Sequence, residues 1–157
     1  VSGVAVIRVG GKTQTELWER KMRLEDGVHA ARAAQAEGIV PGGGTAFLRL
    51  IPKVNESMAA LSDEEQMGVR AVARALEAPV RQIAENVGQD GSYMVQKLMG
   101  MAPEMGYDAA EDCVCPMVDS GIIDPVRVVR TSLESALSVA ATILTVQASV
   151  VGGVERV

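Results

Sequence analysis

The chain has 157 residues, 48% of them hydrophobic and 22% charged. That excludes a disordered chain and bounds it to one core, or one core with a small appendage. A formal net charge of -5, with no basic run and only 3% aromatic residues, argues against a nucleic-acid partner and leaves Ala, Val, Leu, Ile and Met to build tightly packed helices.

Val4 to Val9 is a β-branched run closed by Gly10 and Gly11, so it reads as a strand. No pairing partner follows nearby, and its sheet neighbours are expected outside the chain. The first residue is Val, which we read as a piece of a longer protein. Thr15 to Glu37 reads as a helix with Leu24, Val28 and Ala31 on one face, ended by Gly38. Gly27 interrupts it; close helix packing or access beside Asp26 would each explain a glycine there.

Pro41 leads into three glycines, Gly42, Gly43 and Gly44, read as an elbow between helices. A short apolar helix follows from Thr45 to about Val54, disturbed by Pro52. Ser62 and Glu65 have the spacing of a capping box. The helix they open carries Met67, Ala71, Ala75 and Leu76 as its expected stripe. Pro79 should kink it before Val80, Ile83, Ala84 and Val87 carry the stripe on to Gly88. Gly91 to Met99 reads as a shorter helix. Pro103 to Asp124, broken by Gly106, Pro116 and Gly121, reads as a small hairpin region. Asp124 and Pro125 then suit the cap and first position of a last helix. That helix is apolar around most of its girth and is expected to be buried. The uncharged run from Ser135 to Val151 is short for a membrane span and carries several hydroxyls, so a core helix is expected and no membrane contact. The fold class is therefore mainly α: an antiparallel helical bundle with a short N-terminal strand and a small hairpin near residues 103–124.

Few residues suggest chemistry on their own. The glycine elbow lacks the strand that a dinucleotide fingerprint needs, and no Gly-Lys-Ser/Thr follows it. Three glycines before a helix could still admit a phosphate or nucleotide to backbone amides. Taken alone, Asp26 is a solvated helix carboxylate, Asp108 a turn residue and Asp124 an N-cap. His29, the one histidine, reads as a packed helix residue. Cys113 and Cys115 are too few for a secreted disulfide framework and fit a reducing compartment. With no second cysteine pair, no metal site is expected at them.

Taken in order, several stretches say more. Gly3 to Gly10, Glu25 to Gly44, Glu77-Ala78-Pro79 with Arg81-Gln82-Ile83, Gly106 to Ala110, and Gly121 to Val128 together resemble the C-terminal part of a GroEL-type, group I chaperonin subunit. The resemblance covers nearly the whole chain. It implies part of the hinge-like intermediate domain over residues 1–37 and the C-terminal half of the equatorial, ATP-binding domain over 38–157. It implies an ATP-dependent protein-folding subunit of a double heptameric ring, acting with a ring-shaped co-chaperonin on unfolded clients. The compartment would be the bacterial cytoplasm or an organellar matrix or stroma.

Residue by residue, the same resemblance implies Asp26 as the catalytic aspartate that orients water at the γ-phosphate. It implies Gly43 as a backbone contact to nucleotide, Asp108, Ala109 and Ala110 as adenine-side contacts, and Asp124 as the carboxylate holding the ribose. The family's phosphate loop, its Mg-binding aspartate and its client-binding apical domain have no counterpart in this sequence. Cys113 and Cys115 are also outside the family pattern. The chain alone is therefore expected to hydrolyse ATP poorly or not at all. The competing expectation is a non-enzymatic helical module that serves only assembly.

Overall fold

The computed structural model describes residues 3–148. Helix α1 spans Gln14–Glu37. Its N-terminus is held by Thr13, whose hydroxyl accepts from the Glu16 N–H, and Gly38 ends it at φ 86°. A short strand β1, Ile39–Pro41, follows. Then come α2, Thr45–Glu56; a 3-10 turn, Ser57–Ala60; α3, Asp63–Ala75; α4, Ala78–Asn86; and α5, Gly91–Met99. Strands β2, Met105–Asp108, and β3, Cys113–Pro116, precede β4, Ile123–Pro125, and the last helix α6, Val126–Thr145.

The fold is mainly helical with two small antiparallel sheets. The hairpin expected between residues 103 and 124 is β2–β3, with Tyr107 opposite Val114 and Asp108 opposite Cys113. The second sheet pairs β1 with β4, setting Val40 opposite Asp124. The core lies among α2 to α5 and β2. Leu48, Ile51, Leu76, Val80, Ala84, Met94, Val95, Leu98 and Tyr107 are all buried there. Each fully buried Leu or Val contributes about 1.5–3 kcal/mol relative to an exposed one.

Several local expectations hold. Ser62 and Glu65 form a reciprocal capping box. Helix α5 starts at Gly91 as expected, and Asp90, not singled out in the sequence, caps it by accepting from the N–H groups of Ser92 and Tyr93. Pro79 ends the continuity of α3 and α4 more sharply than a kink: α3 stops at Ala75, and Pro79 sits in the first turn of α4, where its missing N–H costs no helical bond. Pro52 instead stays inside α2, on its exposed side.

Other expectations are corrected. Val4 to Val9 forms no strand; with no neighbouring strand to bond, its backbone has no ladder, and Val4 is 95% exposed. Of the stripe expected on α3, Leu76 is buried, but Met67, Ala71 and Ala75 are exposed and Ala73 faces the core instead. Asp124 is not a helix cap. It belongs to β4, Pro125 takes the cap position, and no side chain caps α6. No residue of α6 is buried. Helix α6 packs along α1 and carries its remaining apolar girth uncovered, with Ile143 66% and Leu144 86% exposed. His29 is exposed rather than packed. Residues from Ser149 onward, including the end of the uncharged run, lie outside the described residues. No helix among the described residues is long and apolar enough to cross a membrane.

Candidate functional site

The glycine elbow is a strand-to-helix turn, not a helix-to-helix one. β1 enters it, α2 leaves it, and β4 fixes it from the side, because the Gly42 N–H donates to the Ile122 carbonyl at 2.9 Å. Gly43 and Gly44 hold φ 62° and 76°, values that favour glycine. A Cβ on Gly44 would meet Pro79 Cβ at 2.9 Å and the Val80 N at 3.0 Å. The bare backbone therefore lets α4 approach the start of α2.

Gly43 also lies against the hairpin. A Cβ there would stand 2.8 Å from Met117 Cε and 3.5 Å from the Tyr107 carbonyl oxygen. Met117 is fully buried. Its N–H donates to the Glu104 carbonyl at 3.0 Å, and its carbonyl accepts from the Ile122 N–H at 2.8 Å. A Cβ on Gly106 would collide with Met117 and with the Thr45 hydroxyl. Met117 thus knits the hairpin, the glycine turn and β4 into one unit. Sequence reading overlooked this residue, since a methionine in a loop carries no local signal. Thr45, at the start of α2, is fully buried, and its hydroxyl has no hydrogen-bond partner among the described residues.

The structure therefore brings three sequence-selected segments together: Gly42–Gly44, the β2 end at Asp108, and β4 with Asp124. Asp108 Oδ1 accepts from the N–H groups of Ala110 at 2.9 Å and Glu111 at 3.4 Å, which shapes the turn carrying Ala109 and Ala110. Ala109 is half-buried against the core and Ala110 is exposed, so the turn offers a small, nearly flat apolar ledge. Asp124 is half-buried, and that desolvation raises its carboxyl above the ordinary range.

Asp26 stands apart. It lies on the exposed face of α1, eleven residues before Glu37, or roughly 16 Å along the helix axis. It lines a different cleft of about 890 Å³ with His29, Arg127, Thr131, Ser132 and Ser135, between α1 and α6. The end of α1 is fastened instead. Arg130 on α6 donates to the Glu37 carboxylate at 2.8 Å, and the Val126 N–H donates to the Gly38 carbonyl at 3.1 Å.

Arg49 is a second residue that sequence reading passed over. From α2 its guanidinium donates to five carbonyls, those of Leu98, Met101, Ala102, Pro103 and Met105, at 2.8–3.3 Å. It closes the C-terminal end of α5 and aims the loop that begins β2. Desolvation lowers its pKa, and the Glu104 charge partly offsets that.

Among the described residues, no three carboxylates converge on a point that would suit a hard divalent ion.

A group III chaperonin crystallised in its open state is similar in structure, with a TM-score of 0.83 at 29% identity. The match covers 90% of this chain but 30% of that one, so the chain spans under a third of the solved protein's length. The family model for TCP-1/cpn60 chaperonins matches residues 1–153. With nearly every residue matched and the same arrangement of elements, the chain belongs to the TCP-1/cpn60 chaperonin family.

Proposed function

We propose that this chain is the C-terminal segment of a group I chaperonin subunit and supplies the nucleoside side of its ATP site together with the catalytic aspartate. The observation that carries the reading is that Met117 lies against Gly43 and Gly106 and bonds to Ile122, which joins the glycine turn, the strand ending at Asp108 and the residue before β4. Segments distant in sequence thus meet at the glycine turn. In this reading residues 1–37 are the hinge-like part and residues 38–157 the equatorial part.

Each residue then has a physical task. Ala109 and Ala110 offer small apolar faces to the adenine, and Asp108 holds their turn in shape. Gly43 offers its backbone to the nucleotide, while its missing Cβ makes room for Met117 behind it. Asp124 accepts hydrogen bonds from ribose hydroxyls, and its partial burial strengthens such bonds. Asp26 accepts a hydrogen bond from water and orients it for in-line attack; phosphoryl transfer depends mainly on positioning of this kind. Asp26 lies far along α1 from the glycine turn, which favours a gated mechanism in which α1 swings to complete the site. The phosphate grip and the Mg ligands belong to parts of the subunit outside this chain. So do the surfaces for co-chaperonin and clients, whereas the equatorial part in this chain carries ring contacts.

The test is Asp26→Ala in the whole subunit. Turnover should fall by about 100-fold or more, the usual scale for a lost proton-handling or water-orienting group, while nucleotide affinity stays within error. Unchanged turnover would replace this reading with the helical assembly module. The 157-residue chain alone should show no Mg-dependent ATP hydrolysis, and robust turnover by it would refute the half-site.

A further inference from the structure

The hairpin places three ligand-capable groups on one face. Asp108 pairs directly across from Cys113 in the β2–β3 register. Cys115 is two residues further along β3, and alternate residues of a strand share a face. The carboxylate oxygen of Asp108 and the sulfurs of Cys113 and Cys115 all lie within 4.8 Å of one another. Among the described residues this is the one such group of three or more His, Cys, Asp or Glu side chains. The proposed chaperonin role has no use for the two cysteines.

We propose that Asp108, Cys113 and Cys115 form a binding site for a thiophilic divalent cation of the Zn²⁺ class. A tetrahedral zinc centre with Zn–S near 2.3 Å and Zn–O near 2.0 Å sets its sulfurs about 3.8 Å apart and sulfur–oxygen pairs about 3.5 Å apart. From separations of 4.8 Å or less, the cluster needs a contraction of at most about 1.0 Å between the sulfurs and about 1.3 Å between sulfur and oxygen to reach those spacings. Cys113 is exposed and Cys115 half-buried, so rotamer adjustment can supply it and the fourth position stays open to water. The donor set decides the class of ion: two thiolates and one carboxylate suit zinc or cadmium, while magnesium and calcium take oxygen ligands.

Two features support binding over a mere coincidence of side chains. The Asp108 carboxylate is already oriented, because Oδ1 is held by the Ala110 and Glu111 N–H groups and Oδ2 takes neither of those bonds. The strand spacing disfavours a disulfide: Cα atoms two apart in an extended strand sit about 6.6–6.8 Å apart, at the outer edge of disulfide geometry.

The experiment is a Co²⁺ titration of the reduced 157-residue chain followed by absorption. One Co²⁺ per chain should give thiolate-to-cobalt charge transfer with tetrahedral d–d bands, and Zn²⁺ should bleach both. Cys113→Ser and Cys115→Ser should each abolish the charge-transfer band with circular dichroism unchanged. Asp108→Asn should keep the band and weaken affinity by about 10-fold or more, the lower end of the range for groups that support a metal. No band in the native chain would overturn the site. So would bands that survive both serine variants, or one Co²⁺ shared between two chains. Loss of two hydrogens by mass spectrometry without metal uptake would replace it with a disulfide. A second arm rests on the nucleotide reading: Zn²⁺ loading occupies Asp108 and should weaken ATP binding by the subunit. A cobalt spectrum with unchanged ATP affinity would refute that reading of Asp108 and leave the metal site standing.

Discussion

At Gly27 an added methyl group would meet nothing within 4 Å, and the residue lies inside the regular helix α1. Close packing within this chain therefore does not explain the glycine. Gly27→Ala should stabilise α1 by roughly 1 kcal/mol, the difference in helix propensity, visible as a higher urea midpoint. At Gly43 the same change has the opposite sign. Its φ of 62° is left-handed, which costs an L-residue about 1–2 kcal/mol, and the clash with Met117 Cε adds to it, although that methyl is a flexible end. Gly43→Ala should lower the midpoint. Tyr107 supplies a pH signature. Its hydroxyl donates to Asp112 at 2.6 Å, and that bond, with desolvation and the Asp112 charge, pushes the phenol up to about 12. The folded state thus favours the protonated form. Below the unfolded value near 10 both states hold the proton and the contribution is complete. As pH rises from there toward the folded value the unfolded chain ionises first, so stability is lost. Tyr107→Phe should be less stable at neutral pH and should lose that alkaline slope, read from urea midpoints across pH. An equal slope in both proteins would show that the bond to Asp112 is not what holds the proton.

Helix α2 and the end of α5 are joined by one side chain. Replacing Arg49 with Met keeps the aliphatic stem but strands five carbonyls. A hydrogen bond to a charged group contributes about 1.5–3 kcal/mol, and bonds sharing one donor group do not add, so a loss of about 2–4 kcal/mol is expected by chemical denaturation. Amide exchange should quicken first in α5 and β2, and uniform quickening across the chain would contradict the local fastening. Nothing in the sequence marks Arg49, because an arginine on a helix looks the same whether its head meets water or carbonyls. The elements that were legible are those set by neighbours in sequence: the Ser62–Glu65 capping box, the break at Pro79, the end of α1 at Gly38, and the β2–β3 hairpin. The β1–β4 pair was not legible, since each strand has three residues and their pairing is long-range. That pairing is why Asp124 left its expected cap. The site shows the same division. Gly43, Asp108 and Asp124 were selected through family resemblance, and each reads locally as an ordinary turn or cap residue. Met117, which lies against Gly43 and Gly106 and bonds to Ile122, gives no signal until the fold exists.

The whole molecule leaves much apolar surface uncovered. Val4, Val6 and Ile7 extend along an unpaired segment, and α6 buries none of its residues. Between β1, α2 and α6 runs an apolar groove of about 520 Å³, lined by Val40, Pro41, Leu50, Val129, Leu133 and Leu137. Contiguous apolar patches of this kind are rare on monomeric proteins and mark association surfaces. A helix apolar around its girth is built for burial, yet among the described residues α6 meets chiefly α1, β4 and, through Leu133, the core, and none of its residues is buried. The 157-residue chain should therefore self-associate, with a light-scattering mass that rises above 16.5 kDa as concentration increases. The exposed end of α6 should contribute most. Ile143→Glu with Leu144→Glu places two charges where burial would strand them, and the double variant should shift the scattering mass back toward the monomer while circular dichroism stays constant. Salt separates this mechanism from a charge-driven one: apolar association strengthens or holds as ionic strength rises, whereas ion pairing between copies weakens. A monodisperse monomer at every concentration would show that these surfaces stay solvated without a partner.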